Sequence, residues 1–547
     1  MKYIKIEYLL PALITVVYMV TIISSFVCWY GSNDNIAILR NIQSGCMVSF
    51  MSALMGRILS FCYLNISDVV PWYGLTLYAL LGIGLYLNLL SIWKLIPHKL
   101  LSAAFLVMFL ALSLRHIVSI DYSAVSIILA SGSIIALLIY LEKTREIHIL
   151  PVIFLGVCFS FSYLIRTHGI MAALCFAFPV VLTGVFKERK NYHRFLIFII
   201  PLILTISTNS VYRNLSESES DRYFRKWNAL RGQFHEFPVQ RLNLENEDIR
   251  NVNNWSQNDY FMLCDFIYLD ENKFNIDTLK NVFRYSVSYF NTSGKFISPP
   301  AKSELIQFFK SYPFYIAALF FVALYGFMIR YKRERLIIIV YLAFILGGAM
   351  WMQLFFRFPA RIGSPILLNC IASMVYMIWN NENIQAEAKN TKKHQVIFAM
   401  IFLFFACVVF YNSYTNNLNR ILVQKNSYNS MKELEEIQSD FFLILPRWEF
   451  FHFLSPLKNH KYSFKTIPCG WPIYSPLFYK ALRENGMNHA YELLPKMAQN
   501  KNSYIVANNE SINLISQYLK ETFHIHIKVV QVKQLSNHLI VFRIEAI

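Results

Sequence analysis

Up to residue 412 the chain alternates long apolar runs with short basic ones, and beyond that point it becomes mixed and polar. A helix that crosses a bilayer needs about 20 mostly apolar residues. Eleven runs of that kind fall near 8–30, 72–93, 100–118, 122–141, 149–165, 169–186, 195–212, 312–330, 336–355, 363–379 and 395–412. A further stretch, 46–64, is apolar in places but interrupted by Arg57 and by serines. That mixture fits an amphipathic helix lying on the membrane surface better than a span.

The basic residues fix the count and the orientation. With the basic amino terminus inside the cell, the loops holding Lys94 and Lys99, Lys143 and Arg145, Lys187 and Arg194, Arg330 and Arg335, and Lys389 and Lys393 all fall on the cytoplasmic side. Short cytoplasmic loops are where Lys and Arg concentrate. Counting 46–64 as a span would turn each of those later loops outward. The expectation is eleven spans, N-in and C-out. The opening Met-Lys-Tyr-Ile-Lys leads into its apolar run without a small-residue cleavage site, so it reads as a retained first helix.

Three segments then lie outside: the first loop, a loop at 213–311, and the tail from about 413. The long loop is too polar to cross, and it reads as helical at 221–234 and again towards 290. In the tail, 441–445 and 504–507 read as buried strands and 509–521 as a helix opened by an Asn/Ser cap. The stretches 525–532 and 538–545 read as a β-rich pair. The predicted architecture is a polytopic α-helical membrane protein with a transmembrane domain at 1–412, which includes the helical outer loop, and a small extracytoplasmic α/β domain at 413–547.

Composition narrows the function. Hydrophobic residues make up 56% of the chain, aromatic ones 16% and charged ones 15%, with mean hydropathy +0.39. Soluble domains carry about 25% charged residues. The net charge of +18 would suit a nucleic-acid binder. Much of that excess sits in the short loops, however, so no nucleic-acid partner is expected. Nine cysteines, none in a CxxC pair, predict neither a zinc site nor a disulfide framework. No cofactor is expected, and nothing supports a divalent metal. The sequence has no Gly-rich phosphate loop, internal repeat or low-complexity tract.

Ionisable residues at the ends of spans are costly and mark candidate sites. At the outer face these are Asp34, Arg115 and His116, Asp121, Arg166, His168, Arg357 and Arg361. A carboxylate there can take a proton from an acceptor hydroxyl while arginines hold a departing phosphate. In the long loop Trp227, Asn228 and Arg231 mix aromatic and hydrogen-bonding groups, as sugar sites do. Each has a structural alternative. Asp34 and Asp121 also suit helix caps, and the arginines suit interfacial anchors. His168 beside Gly169 suits a loop, and the Trp227–Arg231 stretch suits a helix packed on the membrane.

Four motifs carry a family resemblance: Ser32-Asn33-Asp34, Gln43-Ser44-Gly45, Pro71-Trp72-Tyr73-Gly74 and Trp255-Ser256-Gln257-Asn258-Asp259. With the many spans, the region to about residue 380 resembles bacterial GT-C-type glycosyltransferases, and more narrowly the glucosyltransferase-like proteins of surface-polysaccharide loci. The resemblance implies a GT-C-like fold in a bacterial inner membrane, with loop and tail extracytoplasmic. It implies a polyprenyl-phosphate-linked sugar donor, a glycan or glycolipid acceptor, contact with membrane lipid, and transfer of a hexose with inversion. Asp34 takes the family's role of general base or acceptor-orienting group. Many members carry paired acids in this loop, whereas this chain has Asn33-Asp34-Asn35, which leaves one carboxylate and weakens any case for a metal. The alternatives are an O-antigen polymerase or ligase working through Arg222, Arg231 and Arg241, and a lipid-linked glycan transporter or flippase. A transporter would ordinarily show internal repeats and charge at mid-bilayer.

Overall fold

The computed structural model describes residues 6–143, 148–185, 189–236, 247–285, 299–330, 332–356, 358–379, 392–445, 451, 453–459 and 462–547. Each of the eleven apolar runs is a helix. In chain order the helices to residue 435 are α1 (Ile6–Ser25), α2 (Asn33–Ser44), α3 (Ala53–Phe61), α4 (Trp72–Leu95), α5 (Lys99–Val118) and α6 (Tyr122–Lys143). Then follow α7 (Ile149–Ile165), α8 (Thr167–Val185), α9 (Arg189–Ser216), α10 (Glu219–Glu236), α11 (Glu247–Asn253) and α12 (Gln257–Cys264). The last six are α13 (Ile276–Tyr285), α14 (Pro299–Ser311), α15 (Pro313–Ile329), α16 (Lys332–Phe355), α17 (Ala360–Trp379) and α18 (Lys392–Glu435).

Among the described residues nine helices are long and apolar enough to cross a membrane by themselves. The helix pair ending at Ile329 passes only when its two parts, bent by 75° at the break before Pro313, are taken together. Proline at the first position of α15 has no amide to extend the ladder from α14. The remaining apolar run is α7, shorter at 17 residues. The 46–64 stretch becomes α3 and a π-helical turn, Cys62–Ile66. It buries Met55, Leu59 and Tyr63 and exposes Ile58, Phe61 and Leu64, as a helix lying along a surface does.

Burial sorts the bundle into layers. Helices α5, α6 and α17 are almost wholly enclosed. Helices α1, α9 and α16 instead present large apolar side chains outward, among them Leu13, Val20, Ile203, Leu204 and Val340. So much exposed apolar surface is stable only against lipid or another apolar surface, and with the run lengths it makes this a multi-pass membrane protein. At the centre α4 and α6 touch backbone to backbone. A Cβ on Gly132 would lie 2.7 Å from the Gly84 carbonyl oxygen, and one on Gly84 would lie 2.9 Å from the Leu129 backbone. Small residues at such crossings let helices reach van der Waals contact where no hydrophobic effect drives them together.

The outer part departs from the expected division. The long loop and the tail share one apolar core, in which Trp227, Tyr260, Tyr268 and Phe274 pack with Phe441, Tyr474, Ile505 and Ile515. By packing, the loop belongs with the tail. Helix α18 also runs unbroken through residue 412 to Glu435. The sheet has strands β3 (Phe441–Ile444), β4 (Thr466–Ile467), β5 (Ser503–Ala507), β6 (Ile527–Gln534) and β7 (Ile540–Ala546), after a separate short pair, β1 (Trp29–Tyr30) and β2 (Ser119–Ile120). The spatial order is β4-β3-β5-β7-β6, with β3 parallel to β4 and β5, and β7 antiparallel to β5 and β6. Strands β3 and β5 are buried at every position, which is why they read as continuous apolar runs. The helix Asn509–Phe523 opens on Asn508, whose side chain accepts from the Ser511 amide at 2.8 Å.

The α4–α6 contact generates a stability prediction. Gly132→Leu should cost about 1–3 kcal/mol or more by overpacking and lower the thermal midpoint of the detergent-solubilised protein. Gly347→Ala, where an added Cβ meets nothing within 4 Å, should leave that midpoint unchanged.

Candidate active site

The site is built where the first loop returns to the bundle. After α1 the chain extends, and β1 pairs in parallel with β2 at the end of α5. The Gly31 amide donates to the Ile120 carbonyl at 2.7 Å. Glycine keeps this approach close, since a Cβ would lie 3.0 Å from the Cβ of Asp121 and 3.1 Å from the Ser119 carbonyl oxygen. Ser32 then turns the chain into α2.

Asp121 is 1% exposed and its carboxylate is fully engaged. Oδ2 accepts from the Ser32 hydroxyl at 2.7 Å and from the Asn35 amide at 2.9 Å, and Oδ1 accepts from the Ser123 backbone amide at 2.8 Å. The last bond caps the first turn of α6. Asn35 accepts in turn from the Tyr73 hydroxyl at 2.8 Å, which ties in the start of α4. Arg166 donates to the Ser123 hydroxyl at 2.5 Å and lies 4.8 Å from the centre of the Tyr122 ring. Burial pushes the Asp121 carboxyl up, but the Arg361 charge, the Ser32 hydroxyl, the Arg166 charge and the Ser123 amide together hold it below the usual carboxylate range. It is an ionised structural anchor.

One residue before Asn35, Asp34 points the other way. Its Oδ2 meets Arg361 Nη1, in the first turn of α17, at 2.7 Å, and the two side chains keep 13% and 16% of their surface. The pair lies on a cavity of about 630 Å³. The bundle supplies Asp34, Arg115, Asp121 and Arg361, helix α10 supplies Arg231, and a tail loop supplies Trp471. Arg231 is buried, and its Nε donates to Asn228 Oδ1 at 3.0 Å. Trp471 meets the Phe50 ring edge-on at 5.0 Å. His116 is buried 3.5 Å from the Tyr315 hydroxyl.

The predicted residues thus separate. Asp34, Asp121, Arg231 and Arg361 line the cavity, and Asn228 steadies Arg231. Trp227 is in the outer core, where its Nε1 donates to the Phe274 carbonyl at 2.7 Å between the rings of Tyr268 and Tyr474. Arg166 stands behind the lining on Ser123. His168 is exposed on the first turn of α8 and away from the lining, and Arg222 is exposed on α10. Arg357 and Arg241 lie outside the described residues. Within the Trp255–Asp259 motif, Ser256 and Asp259 form a capping box for α12, and Asp259 pairs with Lys273 at 2.7 Å. The sequence reading missed Gly470-Trp471-Pro472, though a tryptophan between glycine (φ +80°) and proline is a turn signal that holds an aromatic at a surface. Among the described residues no group of three or more His, Cys, Asp or Glu side chains is placed to hold a metal ion.

No protein-family model and no curated protein matches this chain. Among solved structures it is similar to ArnT from Cupriavidus metallidurans, in a crystal structure bound to undecaprenyl phosphate. The identity is 9% and the TM-score 0.41, covering 98% of this chain and 97% of that one.

The Asp121 network gives three expected outcomes. Asp121→Ala leaves three donors without their acceptor and should cost about 3 kcal/mol or more, whereas Ser32→Ala removes two hydrogen bonds and should cost about 1–3 kcal/mol. Both are read as thermal midpoints in detergent. Because the folded carboxyl is depressed, its contribution is complete above the ordinary carboxylate pKa near 4 and is lost only as pH falls through the lower folded value. The midpoint difference between wild type and Asp121→Asn should therefore hold from pH 7 to about 4 and shrink below it.

Proposed function

We propose that the chain is a membrane glycosyltransferase of the GT-C type, transferring a hexose from a polyprenyl-phosphate-linked donor to a surface glycan or glycolipid at the extracytoplasmic face. The observation that carries this reading is the cavity that gathers Asp34 with Arg115, Arg231 and Arg361 where the apolar helices meet the outer domain. Breaking a sugar–phosphate bond leaves negative charge on the phosphate, and preorganised cations stabilise that charge as it grows. The acceptor hydroxyl must lose a proton as it attacks, and a carboxylate within reach is its base.

Of the two carboxylates on the cavity only Asp34 suits that task. Asp121 is saturated by donors and enclosed, whereas Asp34 keeps part of its surface open. Its bond to Arg361 keeps it aimed. In the reaction the acceptor oxygen gives its proton to Asp34 and attacks the anomeric carbon. The bond from that carbon to the phosphate oxygen breaks, and lipid phosphate leaves among the arginines. A single displacement of this kind inverts the anomeric centre. The orientation has its own support, since Lys94, Lys99, Arg330 and Arg335 sit at the helix ends remote from the cavity, the cytoplasmic end by the positive-inside rule.

The test is surface-glycan mass in cells expressing wild type, Asp34→Asn or Arg361→Ala at equal membrane levels. Gain of one hexose per repeat in wild type, reduced about 100-fold or more in Asp34→Asn, supports the transferase and its base. Unchanged repeat mass with longer chains favours the polymerase. No change in either overturns the catalytic role of Asp34.

A further inference from the structure

A second cavity, of about 600 Å³, lies at the end of the bundle away from Asp34, where the ends of α4 and α6 meet the starts of α1, α5 and α7. Tyr73, near the start of α4, is bonded to Asn35 beside the reaction cavity, and from Tyr73 to Lys94 that helix climbs about 30 Å. The wall begins one turn past the Gly84–Gly132 contact, with Leu87 on α4 and Ala136 and Tyr140 on α6. Tyr140 is itself fixed, since its hydroxyl donates to the His148 carbonyl at 2.9 Å and accepts from the His148 amide at 3.2 Å. Tyr8 of α1 and Phe154 of α7 also line the cavity, and both are exposed. Their neighbours Leu9, Leu13, Leu150 and Ile153 are exposed as well, so the cavity opens sideways onto the hydrocarbon of the bilayer.

Two lysines line the same cavity, each set on an aromatic face. Lys94 Nζ, in the last turn of α4, lies 3.8 Å from the centre of the Tyr8 ring. Lys99 Nζ, at the start of α5, lies 4.2 Å from the centre of the Trp93 ring. Both rings line the cavity too. An aromatic face attracts an ammonium through its quadrupole, so the two charges are held in place. Tyr and Trp concentrate at the depth of the lipid head groups. Among the described lining residues Glu7 is the one acid, and it is exposed. The lining therefore carries two positive charges and one negative, and a single phosphodiester brings the sum to zero.

We infer that this cavity holds an anionic glycerophospholipid with an uncharged head group, its phosphate on Lys94 and Lys99 and an acyl chain along the apolar wall. Basic pockets between membrane helices bind acidic lipid head groups in this way. Ammonium groups give charge-assisted bonds to phosphate oxygens, and Glu7 can accept from head-group hydroxyls. The wall of Leu87, Leu90, Ile139 and Leu155 rewards a chain that a soluble phosphate lacks. Five helix ends meet at the site, so a bound lipid ties α1, α5 and α7 to the central α4–α6 pair. This lipid is a resident of the leaflet away from the reaction cavity and is not the sugar carrier. The inference stands apart from the transferase reading and needs only the membrane bundle.

The experiment is native mass spectrometry of the delipidated full chain with phosphatidylglycerol, phosphatidylcholine of the same acyl chains, and glycerophosphoglycerol, which has the head group alone. Wild type should bind phosphatidylglycerol about tenfold or more tightly than phosphatidylcholine and should not retain glycerophosphoglycerol. Lys94→Gln combined with Lys99→Gln should lose that preference, and Lys99→Gln alone, at an exposed residue, should lose part of it. Lys94→Arg with Lys99→Arg should keep most of it. Lys501→Gln with Lys528→Gln removes the same charge from exposed positions of the outer domain and should bind as wild type. Phosphatidylglycerol should also raise the thermal midpoint of wild type and leave that of the Lys94/Lys99 glutamine variant unmoved. Equal affinity for the two lipids in wild type overturns the site, as does a preference that survives in the Lys94/Lys99 glutamine variant. Retention of glycerophosphoglycerol, or an equal loss of preference in the Lys501/Lys528 variant, overturns it as well.

Discussion

A buried carboxylate cannot be left without partners, and Asp121 draws its partners from four parts of the chain. The bonds from Ser32 and Asn35 fix the first loop, the bond from Ser123 starts α6, and the charges of Arg361 and Arg166 bring in the ends of α17 and α7. Removing such a charge from water costs several kcal/mol unless every lone pair is met, so the arrangement has little slack. Its consequence is directional. With Asn35 held inward, helical geometry sends its neighbour Asp34 outward, onto the cavity and towards Arg361.

The same short helix then carries the outer domain. On the turns after Asp34, Arg40 donates to Thr466 Oγ1 at 2.6 Å and to the Tyr462 hydroxyl at 2.8 Å, and its guanidinium lies 4.6 Å from the centre of the Phe451 ring. Gln43 reaches Asn459 at 2.7 Å. Helix α2 therefore has a buried face, a cavity face and a docking face. The roof of the cavity is also a single body, since α10, which brings Arg231, and the tail loop, which brings Trp471, share one apolar core. Two carboxylates on one cavity thus sit in different environments: Asp121 is enclosed among its donors, and Asp34 keeps part of its surface beside Arg361.

The sequence by itself determined that the chain is a multi-pass bundle of apolar helices. Run length and the polar break at 46–64 are local properties, so all eleven apolar runs are helices and 46–64 holds the shorter α3 and its π-helical turn. The apolar runs of β3 and β5 and the Asn508 cap were legible for the same reason. Asp34 and Arg361 stood out because charge at a span end is costly wherever it sits. Only the tertiary structure decided that these two residues meet, that Asp121 is an anchor, and that Trp227 belongs to a core while Trp471 faces the cavity. It also decided that the long loop folds with the tail and that Ser256 and Asp259 cap a helix. Each of those outcomes depends on which surfaces come together across long stretches of chain, and neither periodicity nor composition encodes that pairing. The bilayer selects segments one at a time, whereas a site is selected by contacts among them.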